Sequence, residues 1–303
     1  MNPAIDRTIL VDKLVFEDRS YMRSSADSPG GRGINASRVL NCYGAETLAI
    51  LPVGGENGSK MTELLKEIGF PTVVVPVRSE TRTNMTISDK QGLTIKLNEV
   101  GGPIESFELK QIQDVIENHL PRAEWLMLCG SLPPQVPSNF YAKLIEAAKE
   151  RGVKTFLDTD DAALLRGIEA GPDVVKPNQH EAERLLGRAL LSRARSIEAA
   201  KQIQAMGPEV VLLSLGSRGM LAAREDEILE VTPPVVDAVS PIGAGDAASA
   251  AYVWAIHSGL TFTEAVKWAV ASGTAKSTLP GMTFATKDQS EDILRRLESR
   301  IVR

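Results

Sequence analysis

From Glu105 onward the chain alternates short apolar runs with longer segments whose apolar positions recur at helical spacing. The spacing predicts a helix over Phe107–Leu120, with Leu109, Ile112, Val115 and Ile116 on one face. A strand at Trp125–Cys129 follows, then a helix over Asn139–Arg151 stopped by Gly152, and strands at Val153–Leu157 and Asp173–Val175. Helices over His180–Leu186 and Ile197–Met206, a strand at Val210–Ser214 and a hairpin-like pair at Met220–Ala223 and Ile228–Val231 come next. Helices over Thr263–Thr278 and Asp288–Ile301 complete the pattern. Such alternation is that of an α/β protein built on a parallel sheet. Ser131, Asp158, Lys176, Asn178 and Ser214 all fall just past predicted strands, where open parallel sheets bind ligands.

The first hundred residues differ. Ile9–Val11 and Leu14–Phe16 read as short strands, Ala36–Tyr43 as a helix stopped by Gly44, Glu46–Val53 as a buried strand and Ser59–Ile68 as a helix stopped by Gly69. Thr72–Val77, Thr83–Ser88 and Leu93–Leu97 alternate polar and apolar positions, which predicts a small sheet with one wet face, apart from the main one.

Two glycine turns open helices, and each implies a close approach of backbone to a ligand. The first is Gly30-Gly31-Arg32-Gly33-Ile34-Asn35. The second, Gly243-Ala244-Gly245-Asp246, enters a long run of small and apolar residues. The free N–H groups of a helix start suit a phosphoryl group. A carboxylate beside them, Asp246, is a candidate base for a hydroxyl that attacks phosphorus. The alternatives are a helix-start acid that only complements the dipole, or a G-x-G-x-x-A dinucleotide turn, which would set Asp246 against a pyrophosphate. Lys176-Pro177-Asn178-x-x-Glu181 offers hard oxygen ligands for Mg²⁺, and equally reads as a proline turn with a capping Asn or Glu. Ser214-Leu215-Gly216-x-x-Gly219 could admit a phosphate-bearing ligand, although alone it is a plain turn. Gly58-Ser59-Lys60 lacks the residue order of a P-loop.

Composition narrows the partners. The 303 residues carry a net charge of −5 with a pI near 5.5 and no basic run, which argues against nucleic acid or a membrane surface as a partner. Cys42 and Cys129 read as buried small side chains in a reducing cytoplasm, and three scattered histidines lack zinc spacing. No apolar run reaches the roughly 18 residues of a membrane span, and no signal peptide heads the chain.

Taken in order, Asn2-Pro3-Ala4-Ile5-Asp6, Pro29 to Asn35, Thr81-Arg82-Thr83-Asn84, Gly130-Ser131-Leu132-Pro133, Lys176-Pro177-Asn178-x-x-Glu181, Ser214-Leu215-Gly216-x-x-Gly219 and Gly243-Ala244-Gly245-Asp246 resemble the ribokinase-like (pfkB) carbohydrate kinases over nearly the whole chain. The first and third motifs resemble the branch of 1-phosphofructokinase, tagatose-6-phosphate kinase and the minor 6-phosphofructokinase. This resemblance implies one kinase domain over residues 1–303, a three-layer α/β/α fold with a mainly parallel central sheet. A small β-sheet lid would come mainly from residues 9–28 and 72–100. It implies ATP-dependent phosphorylation of a ketohexose phosphate, in the first place fructose 1-phosphate to fructose 1,6-bisphosphate. Tagatose 6-phosphate, fructose 6-phosphate, an unphosphorylated sugar or nucleoside, and a non-catalytic binding role are the alternatives.

Under the resemblance Asp246 matches the base, and the N–H groups of Gly243, Ala244 and Gly245 the anion hole. Asp6, Gly30, Gly31 and Asn35 match the groups that grip sugar hydroxyls, and Arg82 the arginine on the substrate's phosphate. Lys176, Asn178 and Glu181 would face the nucleotide phosphates, with Mg²⁺ held at Asn178 and Glu181 through water. Ser214, Gly216 and Gly219 would line the nucleotide site, with Ala269–Ser277 near the adenine. A homodimer joined through the lid is implied by the exposed edges of strands 83–97.

Three departures stand out. Members of the branch begin with a strand ahead of Asn-Pro, so the numbering is expected to start at an internal methionine or at a trimmed end, leaving Asp6 without its anchor if the strand is absent. Thr159-Asp160-Asp161 replaces the frequent Ser-Gly after Asp158. In the lid, Arg19, Arg23 or Tyr21 stands near the position of a phosphate-binding residue.

Overall fold

The computed structural model describes residues 1–302. The chain runs through β1 (Ala4–Val11), β2 (Met22–Gly30), α1 (Arg32–Cys42), β3 (Ala49–Val53), α2 (Gly55–Lys66), β4 (Thr72–Pro76), β5 (Arg82–Ser88), β6 (Thr94–Asn98) and α3 (Ser106–His119). It continues through β7 (Trp125–Cys129), α4 (Phe140–Lys149), β8 (Lys154–Asp158), α5 (Asp161–Glu169), β9 (Val174–Val175), α6 (Gln179–Leu186), α7 (Arg193–Gln204) and β10 (Val210–Ser214). The antiparallel β11 (Met220–Arg224) and β12 (Glu227–Thr232) lead to α8 (Ala244–His257), α9 (Phe262–Ser277), α10 (Lys287–Leu294) and β13 (Glu298–Val302).

The main sheet has seven strands in the order β13-β12-β11-β10-β9-β8-β7. β7 to β10 are parallel, and β11, β12 and β13 extend that block antiparallel. The strands of the parallel block read as continuous apolar runs because both faces are covered. Phe156, Val174 and Leu212 pack with α1, α8 and α9, whereas their neighbours Leu157, Val175 and Leu213 pack with α3 to α7. That alternation is the three-layer α/β/α arrangement expected from the sequence.

A separate four-stranded sheet, β2-β1-β5-β6, forms the lid. Its strands begin at Ala4, earlier than residue 9, and Thr72–Pro76 leaves it to pair in parallel with β3. Val75, the one buried residue of this strand, packs with the cluster of α3 to α7 and Val74 against that of α2, contacts that hold the strand beside β3. Leu14–Phe16 forms no strand, and Phe16 is 72 % exposed, because three apolar residues found no partner edge.

Two further differences come from short elements. The sequence pattern did not predict α5, where Gly167 lies so close to Leu157 that a Cβ would stand 2.5 Å from its Cδ2. The last predicted helix stops at Leu294, and residues 298–302 instead edge β12. Cys129 is buried as expected, but Cys42, in the last turn of α1, is exposed. Among the described residues no helix is long and apolar enough to cross a membrane.

Phe156 has no exposed surface and lies with its ring centroid 6.2 Å from that of Tyr252, joining the sheet to α8. Phe156→Ala is expected to destabilise the fold by about 3–5 kcal/mol. Urea denaturation would show this as a lower midpoint with an unchanged slope.

Candidate active site

Helix α8 begins at Gly243, whose φ of 80° belongs to the left-handed region that glycine tolerates. A Cβ there would also sit 3.1 Å from the Phe284 ring. The turn places Asp246 in the first turn of α8, beside N–H groups that have no intrahelical partner. One of the three expected anion-hole donors is already used, since the Ala244 N–H donates to the Pro241 carbonyl at 3.2 Å. The tight turn that lets the chain enter α8 makes that bond. Gly245 is exposed, so its backbone stays open to a ligand.

Asp246 Oδ2 accepts a 2.7 Å hydrogen bond from Asn35 Nδ2. Burial first, and the nearby Asp158 carboxylate second, push Asp246 up to about 6, against the pull of Asn35, Arg32 and Lys176. Such a carboxylate is ionised at neutral pH yet basic enough to accept a proton. Asp158 is buried at the end of β8, with Oδ2 3.0 Å from Lys176 Nζ and 2.9 Å from Ser249 Oγ, and Oδ1 3.0 Å from Arg32 Nη1. Burial alone would raise it, but Lys176 and Arg32 hold it below its ordinary value. Arg32 also reaches Asp160 at 2.9 Å and Glu181 at 3.3 Å, so one guanidinium spans three carboxylates.

The other end of the cleft carries the residues expected to grip a sugar. Asp6 Oδ1 accepts from Asn84 Nδ2 at 2.9 Å, and burial raises its pKa. Gly30 is the only residue type that fits beside it, because a Cβ would stand 2.1 Å from Asp6 Oδ2. Asn35 Oδ1 and Asn84 Oδ1 are buried without a hydrogen-bond partner among the described residues. Buried acceptors of this kind are stabilised when a ligand hydroxyl donates to them. Asp6, Gly31, Asn35, Arg82, Asn84 and Asp246 line one cleft of about 1570 Å³. Arg82 already donates to the Asn2 carbonyl from Nε and Nη2 at 3.2 and 3.0 Å, and to the Glu99 carbonyl from Nη1 at 2.7 Å. Two of its five N–H groups stay available for a phosphate. In the lid, Arg23 is paired with Asp12 on the surface and Tyr21 is 71 % exposed.

The expected nucleotide residues do not line that cleft. Asn178 and Glu181 form a reciprocal capping box at the start of α6, with Asn178 Oδ1 accepting from the Glu181 N–H at 2.9 Å and Glu181 Oε2 from the Asn178 N–H at 2.8 Å. The capping alternative therefore holds, and Glu181 keeps only Oε1, now on Arg32, for any further ligand. Lys176 adjoins the α8 start from this side, its Nζ 3.5 Å from where a Gly245 Cβ would be. Ser214 bridges to Asn178. Gly219 is required by the turn into β11, since a Cβ would meet the Val231 carbonyl at 2.0 Å, and Gly216 has a φ of 62° in the same turn. Of the Ala269–Ser277 stretch, Ala269, Ala271 and Ala275 are buried against the core, leaving Gly273, Thr274 and Ser277 partly exposed. The start of α8 thus stands between two sets of groups: the residues expected to grip a sugar on one side, and Lys176 with the α6 cap on the other.

Sequence reasoning assigned no role to Arg32, Asn84, Ser249 or Lys276. Arg32 and Asn84 stood inside quoted motifs, and their type was the available signal. Ser249 gave none, being one hydroxyl in a run of small and apolar residues, and Lys276 fell inside the Ala269–Ser277 stretch expected near the adenine without a role of its own. Lys276 has no exposed surface, donates to the Gly281 carbonyl at 2.9 Å and lies under the Gly243 turn.

The pattern of the pfkB family of carbohydrate kinases matches residues 1–289. An ATP-dependent 6-phosphofructokinase isozyme 2 of Mycobacterium tuberculosis is 31 % identical over 295 residues, covering 96 % of this chain and 86 % of its own. A 1-phosphofructokinase of Bacillus subtilis is 30 % identical over 277 residues, covering 91 % and 90 %. The crystal structure of Escherichia coli phosphofructokinase-2 with potassium superposes with a TM-score of 0.91 at 27 % identity, covering 98 % of this chain and 96 % of that one.

If Asp246 must be ionised to act, kcat/KM should rise with pH along a limb centred near 6. Asn35→Ala removes a bond to the ionised form and should move that limb upward. The opposite sign applies to stability: the folded pKa exceeds the ordinary 3.8, so this contribution is full below about 3.8 and is lost as pH rises through about 6. Asp246→Asn should therefore raise the melting temperature at pH 8. A limb that stays near 4 in both proteins removes Asp246 as the titrating group.

Proposed function

The chain belongs to the pfkB family of carbohydrate kinases, and from that premise we propose that it transfers the γ-phosphoryl group of ATP to fructose 1-phosphate, giving fructose 1,6-bisphosphate. It is a sugar-phosphate kinase, as its relatives named 1-phosphofructokinase and 6-phosphofructokinase are by name. The observation that supports the site is the Asp246 carboxylate, raised to about 6, at the helix start between the sugar-facing cleft and Lys176. In this reading Asp246 takes the proton of the attacking hydroxyl, and the open N–H groups of the Gly243–Asp246 turn meet the transferred phosphoryl group. Asp6, Asn35 and Asn84 orient the sugar hydroxyls, with Gly30 and Gly31 giving the backbone room, and Arg82 takes the phosphate already on the sugar.

Lys176, Asn178, Glu181, Ser214, Gly216 and Gly219 are proposed to face the nucleotide. A divalent cation such as Mg²⁺ would supply charge neutralisation on the ATP phosphates. Contact would run through water, because Glu181 Oε1 is held by Arg32, and Glu181 Oε2 and Asn178 Oδ1 by the α6 cap.

A second sugar follows from the chemistry of the cleft. Fructose 6-phosphate and tagatose 6-phosphate also carry a phosphate at one end and a free hydroxymethyl group at the other, and the relatives include 6-phosphofructokinases. An ADP-release assay over the three sugar phosphates and free fructose separates the readings. The highest kcat/KM is expected with fructose 1-phosphate. Asp246→Asn should lose most turnover, by about 10²–10⁴-fold, while Arg82→Ala should raise KM for the sugar phosphate far more than for ATP. Near-normal turnover in the first variant, or equal effects on both substrates in the second, would sink these roles.

The lid also carries exposed Leu10, Met22 and Leu97. A homodimer that covers them by pairing two lids is part of the proposal. Light scattering should give twice the chain mass of 32.7 kDa; a monomer at micromolar concentration refutes it.

A further inference from the structure

Beneath the start of α8 lies a lysine to which the proposed reaction gives no task. Lys276 stands in the last turn of α9 and has no exposed surface. A lysine in that place ordinarily sits in water and answers the negative end of its helix. This one is not needed there. The last four carbonyls of α9 have other donors: Ser277 Oγ for Thr274, the Thr278 N–H and hydroxyl for Ala275, the Leu279 N–H for Lys276, and the Val239 and Ser240 N–H groups for Ser277. Lys276 Nζ donates instead to the Gly281 carbonyl, at 2.9 Å.

The same face of α9 is pressed against the turn that opens α8. A Cβ on Gly273 would meet the Ala244 carbonyl at 2.9 Å, and Lys276 Cε lies 3.6 Å from where a Gly243 Cβ would be. The Ser277 carbonyl accepts from the Val239 and Ser240 N–H groups at 2.8 and 3.0 Å. Phe284 fills the space beside Gly243, with Lys276 Nζ 5.9 Å and the Arg38 guanidinium of α1 5.6 Å from its ring centroid. An aromatic face offsets part of the cost of a buried cation. Among the described residues no carboxylate bonds to Lys276. Burial lowers its pKa, and the charge that opposes this is that of Asp246.

A buried ammonium without a bonded counter-ion is costly, and a neutral donor could serve the Gly281 carbonyl as well. The charge itself therefore needs a reason. Asp246 alone is a weak one, because Arg32 and Lys176 already act on it, Asn35 is bonded to it and Asp158 opposes them. The other negative group at this place is the phosphoryl group of the proposed reaction, and the inference rests on that reading. With the Ala244 N–H engaged by the Pro241 carbonyl, the turn has fewer backbone donors to offer such a group. A fixed charge behind the turn, in a low dielectric, strengthens what remains. We infer that Lys276 is a positioning residue for phosphoryl transfer, which braces the Gly243 turn from inside the core and supplies through it a fixed positive charge to the phosphoryl group at the start of α8.

Two variants separate charge from bonding. Lys276→Met removes both, whereas Lys276→Gln removes the charge and keeps a donor for Gly281. Both should lower kcat by about 10²-fold, with little change in KM for ATP or the sugar phosphate. Both should also move the pH limb of kcat/KM upward from about 6, since one positive charge near Asp246 is lost while Asp158, Arg32, Lys176 and Asn35 stay. Their melting temperatures should hold or rise, because a buried charge has gone. Inorganic phosphate should raise the melting temperature of the unaltered chain and raise it less in either variant, a readout that needs no turnover. Full activity in Lys276→Gln, lost turnover with an unmoved limb, or an equal phosphate effect in all three proteins would overturn the inference. An unaltered chain that turns over none of the sugar phosphates defeats the proposed reaction instead, and the phosphate titration then decides on Lys276.

Discussion

The site depends on one buried carboxylate. Asp158 closes β8 and is met by Lys176 from the end of β9, Arg32 from the start of α1 and Ser249 from α8. A lone buried carboxylate would be prohibitive, so the two cations are a condition of the fold. Taking either away leaves the other charges partly unmatched, a change of about 3–5 kcal/mol in comparable buried pairs. The same contacts fix two helix starts to two strand ends. They bring Asp246 close enough to feel the negative charge of Asp158, which with burial moves Asp246 up to about 6. Structural anchoring and basicity at the α8 start therefore come from one cluster.

Arg32 has the opposite character. It spans Asp158, Asp160 and Glu181 from the glycine turn, and its side chain is 29 % exposed. Asp160, which stands where the glycine of that Ser-Gly pair was expected, is paired with Arg32 at 2.9 Å, and Arg32 and Lys176 together set two positive charges against the three carboxylates of Asp158, Asp160 and Glu181. The cluster also explains why the α6 cap matters: Glu181 spends one oxygen on the Asn178 N–H and the other on Arg32, and thus couples a helix start to the charge network.

The three-layer core was legible because its strands are covered on both faces and its helices carry regular apolar stripes. Phe156 and Leu157 point to opposite layers from adjacent positions, as a period of two demands. The glycine turns were legible for a local reason as well: Gly30 and Gly243 occupy places where a Cβ meets Asp6 or Phe284. What could not be read was long-range pairing. Nothing local to Thr72–Pro76 says that its partner is Ala49–Val53 and not the lid, and nothing in Ser249 or Lys276 says which distant group each meets. Asn178 was ambiguous for a different reason. An amide at a helix start satisfies a cap and a ligand with the same oxygen, so residue type alone leaves both readings in place.

The lid and the core meet at few points, and these points bear on substrate choice. β1 starts at Ala4 and carries Asp6 at its root; β5 starts at Arg82, in register with Ala4. The parallel pairing of Asp6 with Asn84 sets a carboxylate and an amide side by side on the lid root, while Asn35 and Asp246 belong to the core helices. Under the proposed reading, a sugar bridging them would be held by lid groups at one end and by core groups at the other. The distance between its anchored phosphate and its reacting hydroxyl then depends on where β1 and β5 sit over α1 and α8. Because Arg82 is tied to the Asn2 carbonyl and that carbonyl lies two residues before β1, the segment Met1–Pro3 sets the position of the phosphate-binding candidate relative to Asp246. Under that reading substrate selection would depend on how the lid root is fastened to the sheet, as much as on the side chains that meet the sugar.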